Sequence, residues 1–523
     1  MQEMSGTFEN NKRIAKNTLM LYLRMLFTMA VSFYTSRVVL QVLGVSDFGI
    51  YNVVGGLVTM FTFVSGAMTT ATQRFLSIEI GRGEGGDVRR MFSTAVMVHA
   101  LLGVAIIVAG ETAGVWFLNN YMNFPADRYT AANWVYQLSL ATFVIDVMSV
   151  PYNAAIIAYE RMKAFAYVSI VDVTLKLVVV YLLTLTTYDK LVVYAALLGL
   201  IAVTIRVIYG FYCKRNFPQC RCDLKWDKAR GKGMMSFLGW NLIGSIAGVG
   251  KEQGINVVLN IFFGSAVNAA RGVAYQAMNA IAGFAANFQV AMNPQIIKSY
   301  AAGERGDMYK LVFRGSKYSF MLLLVLSLPV AVEAPFILGV WLKEVPEYTV
   351  VFLRLVLATT LIDSLSNPLI TAMHASGKVR DYQIVVGGLS LLTLPVAYVL
   401  FKLGYPPQAA MCVGLAMSVV CHFARQLLLR HTIGFPMGLF LRTVSLRVFL
   451  IAVASALPPC ALGAAMNGGW GEFFAVCTVS VACTVFFCYR FGMGTAEKDF
   501  VRGKLAGLLK IFSRHFTNEH KRD

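Results

Sequence analysis

The chain has 523 residues, 57% of them hydrophobic and only 14% charged, with 46 Lys+Arg against 27 Asp+Glu for a formal charge of +19. A soluble globular chain carries roughly 25% charged residues, and a mean hydropathy of +0.63 excludes a string of soluble domains. A +19 balance on a soluble chain would point to nucleic acid; here the cations cluster between apolar runs, which points to a membrane protein with no nucleic-acid partner.

A helix that crosses the bilayer needs about 20 mainly apolar residues. Runs of that kind predict fourteen spans, over residues 14–36, 48–70, 91–118, 133–158, 164–186, 191–212, 235–263, 272–296, 318–341, 348–374, 382–401, 407–429, 445–465 and 472–490. The predicted fold class is an all-α integral membrane protein. The first run follows a polar segment with Lys12, Arg13 and Lys16 and has no small-residue cleavage site after it, so it reads as a retained span and not a signal peptide. With the N-terminus in the cytoplasm, 35 of the 46 Lys and Arg residues fall on the cytoplasmic side, counting those at adjoining span ends, and 6 fall outside. That is the bias the positive-inside rule requires, and an even number of spans keeps both charge-rich ends cytoplasmic.

None of the nine cysteines falls in an outer loop, so no disulfide framework is expected. Cys213, Cys220 and Cys222 lack a CxxC spacing and an evident fourth ligand, and read as reduced cytosolic thiols, not as a zinc site.

The loop after span 2, Gly83-Glu84-Gly85-Gly86-Asp87, recurs 220 residues later as Gly303-Glu304-Arg305-Gly306-Asp307. The same offset carries Val38 onto Val258, Gly44 onto Gly264 and Ala71 onto Ala291. Six spans separate the copies, so the two halves face the same way, as a parallel repeat about the membrane normal. The predicted organisation is a six-helix lobe over 1–213, a basic linker over 214–234, a second six-helix lobe over 235–430, a connection with two extra spans over 431–490, and a basic tail over 491–523. In that tail Val501, Leu505, Leu508, Leu509, Phe512 and Phe516 share one helical face and Lys498, Arg502, Lys510 and Arg514 another, the pattern of an interfacial helix on an anionic leaflet.

Charges inside spans are expensive and usually face a bundle interior or a wet cavity. The cations are Arg24, Lys176, Arg206, Lys251 and Arg354; the anions are Glu111, Asp146, Asp172, Glu252, Glu333 and Asp363. Arg206 and Arg354 lie near span ends and can snorkel. Asp172 and Lys176 are four apart and can neutralise each other. Arg24 and Lys251 lie near the middle of the first span of each half, with Glu252 expected on a different side of its helix. They either bind one anion between the lobes or are each held by an acid from elsewhere, such as Asp146 or Asp363. Polar stripes suggest a wet cavity: Gly55, Thr59, Thr62, Ser65, Thr69 and Gln73 on span 2, Gln276, Asn279, Gly283 and Asn287 on span 8, and Asn256 and Asn260 on span 7. Pro329 and Pro335 flank Glu333, and Asn367-Pro368 follows Asp363, so these two acids and Asp146 are the candidates for coupling to H⁺ or Na⁺. No catalytic triad, metal pair or phosphate-cradling loop is evident, so neither an enzyme nor a cofactor nor a metal is expected.

The stretch Leu43-Gly44-Val45-Ser46-Asp47-Phe48-Gly49-Ile50-Tyr51, and the run from Asn260 through Ala270-Arg271-Gly272 to Asn293-Pro294-Gln295-Ile296-Ile297-Lys298, resemble the bacterial oligosaccharide or O-antigen flippases of the multidrug/oligosaccharidyl-lipid/polysaccharide exporter superfamily. The resemblance runs through nearly the whole chain. It implies two six-helix lobes around a central cavity, in the bacterial inner membrane. It also implies transfer of an undecaprenyl-diphosphate-linked oligosaccharide to the outer leaflet by alternating access, for surface polysaccharide and lipopolysaccharide synthesis, alongside glycan assembly proteins. In the related lipid II flippases cavity arginines face the lipid diphosphate and two extra helices hold the lipid tail. Arg24 matches that role by position; Lys251, Arg37 and Arg271, with the amides Asn256, Gln276 and Asn279, complete the expected substrate site. The membrane potential, about 2.3 kcal/mol per charge at 100 mV, would favour outward movement of the anion.

The competing expectation is an ion-coupled multidrug antiporter of the same superfamily, working through Asp146 or Asp363. A membrane glycan polymerase or ligase would need a large outer loop, and the longest outer segment, 119–132, has only Asp127 and Arg128 as charges.

Overall fold

The computed structural model describes residues 2–59, 61–121, 126–221, 223, 227–342, 345–466, 468–494 and 497–499. The amphipathic pattern predicted for the tail therefore lies almost wholly outside the described residues. So do the side chains of Arg37, Thr59 and Thr62.

Among the described residues there are fourteen long helices, one for each predicted span in order. They are α1 Gln2–Thr59, α2 Thr62–Gly81, α3 Val88–Asn120, α4 Tyr129–Ala158, α5 Met162–Leu185, α6 Lys190–Asn216, α7 Lys228–Phe263, α8 Ser265–Ala301, α9 Arg305–Val332, α10 Thr349–Ser376, α11 Val379–Lys402, α12 Gln408–Ile433, α13 Met437–Ala465 and α14 Trp470–Gly492. Ten of them are long and apolar enough to cross a membrane on composition alone. Helices α2, α7 and α8 fall short of that apolarity. Their polar residues lower the mean apolarity, which is what helices lining a wet cleft require.

The boundary between the first two spans differs from expectation. Residues 37–47 form no loop: helical hydrogen bonding continues through Thr59, and α1 gives way to α2 at Phe61. Gly44 is thus helical, whereas its repeat partner Gly264 breaks the chain between α7 and α8 with φ of +80°. Elsewhere the repeat is visible in the backbone. α2 and α8 end at Gly81 and Ala301, and α4 and α10 begin at Tyr129 and Thr349, both pairs 220 residues apart. Gly83 and Gly303 both take positive φ, +60° and +80°, a conformation that costs a β-carbon residue about 1 kcal/mol. The Gly-Asp loops are therefore paired turns in structure as well as in sequence.

Each half has its own apolar core. In the first, Phe92, Ala95 and Val98 of α3 meet Ala154 and Ile156 of α4 and Tyr209 of α6. In the second, Met308, Val312 and Phe320 of α9 meet Leu369 and Met373 of α10 and Leu429 of α12, and the same cluster takes in Phe440, Val444, Val448 and Ile451 of α13. That contact docks the two extra helices onto the second half. Apolar side chains exposed around the bundle, such as Val207, Phe211, Ile261 and Phe449, suit a surface that meets lipid.

Candidate functional site: an interface between halves and two polar chambers

At the end of the bundle that carries the Gly-Asp loops, the halves meet through buried polar contacts. Arg74 on α2 is 8% exposed and donates to the carbonyls of His374 and Ala375, which end α10. Its guanidinium also lies 4.7 Å from the ring centre of Phe237 on α7. Glu160, in the turn between α4 and α5, accepts from Lys298 Nζ at 2.7 Å and Gln295 Nε2 at 3.1 Å, both on α8. Its carbonyl accepts from Asn17 of α1. Leu21, Ile157, Met162 and Ala291 close the apolar side of this contact, and a Cβ on Gly81 would come within 2.8 Å of the Lys298 carbonyl oxygen. The chain is thus shut between its halves at this end. Sequence reading missed Arg74 and Glu160, because a charge at a span end is ordinary and no helical spacing points to a partner more than a hundred residues away.

Deeper along α1, Arg24 Nη2 donates to Asn287 Oδ1 on α8 at 2.9 Å, and the guanidinium stacks 4.6 Å from the ring centre of Phe165 on α5. Asn287 is held in turn by donating to the Gly283 carbonyl at 2.9 Å. Among the described residues no carboxylate pairs with Arg24, and its Nε has no partner. Neither of the acids considered from sequence holds it. Gln276 and Asn279 on α8 are exposed.

Lys251 goes elsewhere. It lines two adjoining cavities inside the second half, of about 100 and 270 Å³, with Asp363, Thr359, Thr393 and Gly414 common to both. Glu252 does not point away from it, as helical spacing suggested: its carboxylate lies 3.4 Å from Lys251 Nζ and 2.6 Å from Arg271 Nη2. Arg271 is 5% exposed, donates to Asn256 Oδ1 and stacks 4.2 Å from the ring centre of Tyr275. Asp363 accepts from Ser418 Oγ at 2.5 Å. Arg425, which sequence reading did not single out, joins this lining and donates to the Tyr382 hydroxyl at 3.2 Å. The structure therefore brings together Lys251, Arg271, Asn256 and Asp363, and keeps them apart from Arg24.

The first half contains a matching chamber of about 370 Å³, lined by Tyr51, Thr142, Asp146, Ser169, Asp172, Lys176 and Tyr209 among others. Asp172 and Lys176 pair at 2.8 Å as their spacing predicted, and among the described residues Asp146 has no ion-pair partner. Glu333 lies in neither chamber. It ends α9 beside a separate cavity of about 770 Å³ shared with Glu472 and Arg354 at the foot of α13 and α14. Arg354 does more than snorkel: it donates to the Ala331 and Val332 carbonyls at 2.8 and 3.2 Å, capping the end of α9. Arg206 stacks on Tyr152, 3.8 Å from the ring centre.

No protein-family model matches the chain. Among known proteins, it is 21% identical over 324 residues to EpsK, a membrane protein of Bacillus subtilis (strain 168), a stretch covering 61% of this chain and 63% of that relative. The match thus spans less than two thirds of the relative's length. Among solved structures it is similar to an outward-facing multidrug resistance MATE family transporter of the MOP superfamily, with a TM-score of 0.69 and 13% identity over 80% of this chain and 96% of that one. It is also similar to a variant of the Vibrio cholerae MATE transporter VcmN (TM-score 0.67, 15% identity, 82% and 98% covered) and to the MATE transporter ClbM in complex with Rb⁺ (TM-score 0.64, 14% identity, 82% and 98% covered). The chain therefore has the fold of the MATE transporters of the MOP superfamily.

Proposed function

We propose that this chain is a flippase of the bacterial inner membrane. It carries an undecaprenyl-diphosphate-linked oligosaccharide from the inner to the outer leaflet by alternating access, for surface polysaccharide assembly. Both termini lie in the cytoplasm, as the basic bias of the loops favours, and the loop end closed by Arg74 and Glu160 is the cytoplasmic end. The lobes divide at the basic linker 214–234.

The observation that carries this reading is Arg24. It is a cation well inside a helix, at the contact between halves, answered among the described residues by an amide and an aromatic ring and by no carboxylate. An unbalanced cation at membrane depth favours an anionic partner, and a diphosphate supplies one. Gln276 and Asn279, exposed on α8, then offer hydrogen bonds to the sugar. Arg271, Asn256 and Lys251, expected to share this work, are better read as the lining of the second chamber. Arg24→Ala is expected to insert normally yet leave the cell without surface glycan, with lipid-linked oligosaccharide accumulating on the cytoplasmic leaflet and Arg24→Lys restoring part of the export. Normal surface glycan in the alanine variant would sink the diphosphate site.

A second reading, an ion-coupled multidrug antiporter, has one observation in its favour: Asp146 faces a chamber with more carboxylates than cations, as a proton or cation site requires. Loss of drug resistance in Asp146→Asn, with surface glycan unaffected by Arg24→Ala, would favour it.

A further inference from the structure

We propose that the chamber inside the second half binds a small inorganic anion of halide size. The two adjoining cavities face three cations, Lys251, Arg271 and Arg425, and two carboxylates, Glu252 and Asp363. Glu252 is already shared between Lys251 and Arg271, so one positive charge remains unbalanced inside the bundle. Three buried donors in the same lining have no acceptor among the described residues: Arg271 Nε, Thr393 Oγ1 and Arg425 Nη1. Thr393 is only 2% exposed, so bulk water does not reach its hydroxyl freely.

A buried donor without an acceptor costs about 1–3 kcal/mol, and more when charged. Water could answer the donors, but it cannot cancel the charge. An anion does both. A space of about 270 Å³ holds a halide with several waters, since a water occupies about 30 Å³. The same charge count disfavours Na⁺, which would raise the net charge of the chamber to two. The site is independent of Arg24 and stands whether or not a diphosphate binds there.

The test uses the purified full chain in detergent at constant ionic strength, with thermal unfolding measured in sodium gluconate, sodium chloride, sodium bromide and choline chloride. The midpoint is expected to rise saturably with chloride or bromide, equally with sodium or choline as the cation. Lys251→Gln makes the chamber neutral and is expected to weaken the apparent halide affinity by about tenfold or more. Asp363→Asn is expected to strengthen it, and Lys176→Gln in the other chamber to leave it unchanged. In crystals grown with bromide, the anomalous signal should fall between Lys251, Thr393 and Arg425. Stabilisation that follows sodium and vanishes in Asp363→Asn would make this a cation site. A halide effect lost in Arg24→Ala but kept in Lys251→Gln would move the anion to the cleft. No saturable halide effect in the unaltered protein would leave the chamber to water alone. The wild-type salt series and the bromide signal decide the matter even if a variant fails to fold.

Discussion

The two chambers are built on equivalent helices and hold opposite charge. In the first half α4, α5 and α6 supply Asp146, Asp172, Lys176 and the Tyr209 hydroxyl, one negative charge in excess. In the second, α10, α11 and α12 supply Asp363, Thr393 and Arg425, while α7 and α8 add Lys251, Glu252 and Arg271. Both halves place a carboxylate on their fourth helix. What differs, among the described lining residues, is Arg425 on α12, which has no charged counterpart on α6, and the contribution of the first two helices, which bring cations to one chamber and only Tyr51 to the other. A repeated scaffold thus fixes where a polar chamber forms, and a few side chains decide the sign of what it holds.

That comparison assumes halves that move as bodies about a shared closure, so the strongest way to break it is to open the closure. Glu160→Ala removes the carboxylate that accepts from Lys298 Nζ at 2.7 Å and Gln295 Nε2 at 3.1 Å. Breaking a buried pair by removing one side costs about 3 kcal/mol or more, roughly two decades in the balance between closed and open. Spin labels placed at the exposed loop positions Glu84 and Glu304 should then show a longer separation, with a smaller change for Glu160→Gln. An unchanged separation would mean that the closure rests on Arg74 and the apolar contact alone.

The chambers themselves separate next. Asp146→Asn removes the excess negative charge of the first, and is expected to reduce the pH dependence of transport into proteoliposomes by about tenfold, whereas Asp363→Asn should leave the pH profile in place. Equal loss in both variants would erase the functional distinction between the halves.

Much of this was legible in the sequence. Apolar run length predicted fourteen helices in the right order because burial in lipid leaves few other solutions, and a five-residue loop at a fixed offset predicted the repeat that the turns at Gly83 and Gly303 display. Charges on one helix were readable where the pair is local, as for Asp172 and Lys176. What the sequence hid was which faces of different helices meet. Arg24 finds Asn287 on α8, Glu160 finds Lys298, and Lys251 turns into its own half toward Asp363; each is decided by packing between segments far apart in the chain. Glu252 shows the local limit, since long side chains one residue apart can still bend their charged ends together.

The smallest effect compares the two copies of the loop. Asp87 caps α3, accepting from the Arg90 backbone N–H at 3.0 Å, with the Arg230 guanidinium 3.3 Å away. Its counterpart Asp307 sits inside the first turn of α9 and pairs with Lys310, with both side chains largely exposed. Losing an N-cap costs about 1 kcal/mol, and losing an exposed pair a few tenths, about 0.3. Asp87→Ala should therefore lower the melting temperature measurably and Asp307→Ala barely. The Arg90 N–H, then Arg230, hold the Asp87 carboxyl below its usual value. A depressed carboxyl stabilises the fold above its unfolded pKa, about 3.9, and that contribution fades as the pH falls through the folded one. The melting gap between wild type and Asp87→Ala should thus be full above about pH 5 and narrow in more acidic buffer. A gap that stays constant with pH would mean that the Asp87 side chain acts as an acceptor for the Arg90 N–H in either protonation state and not through its charge.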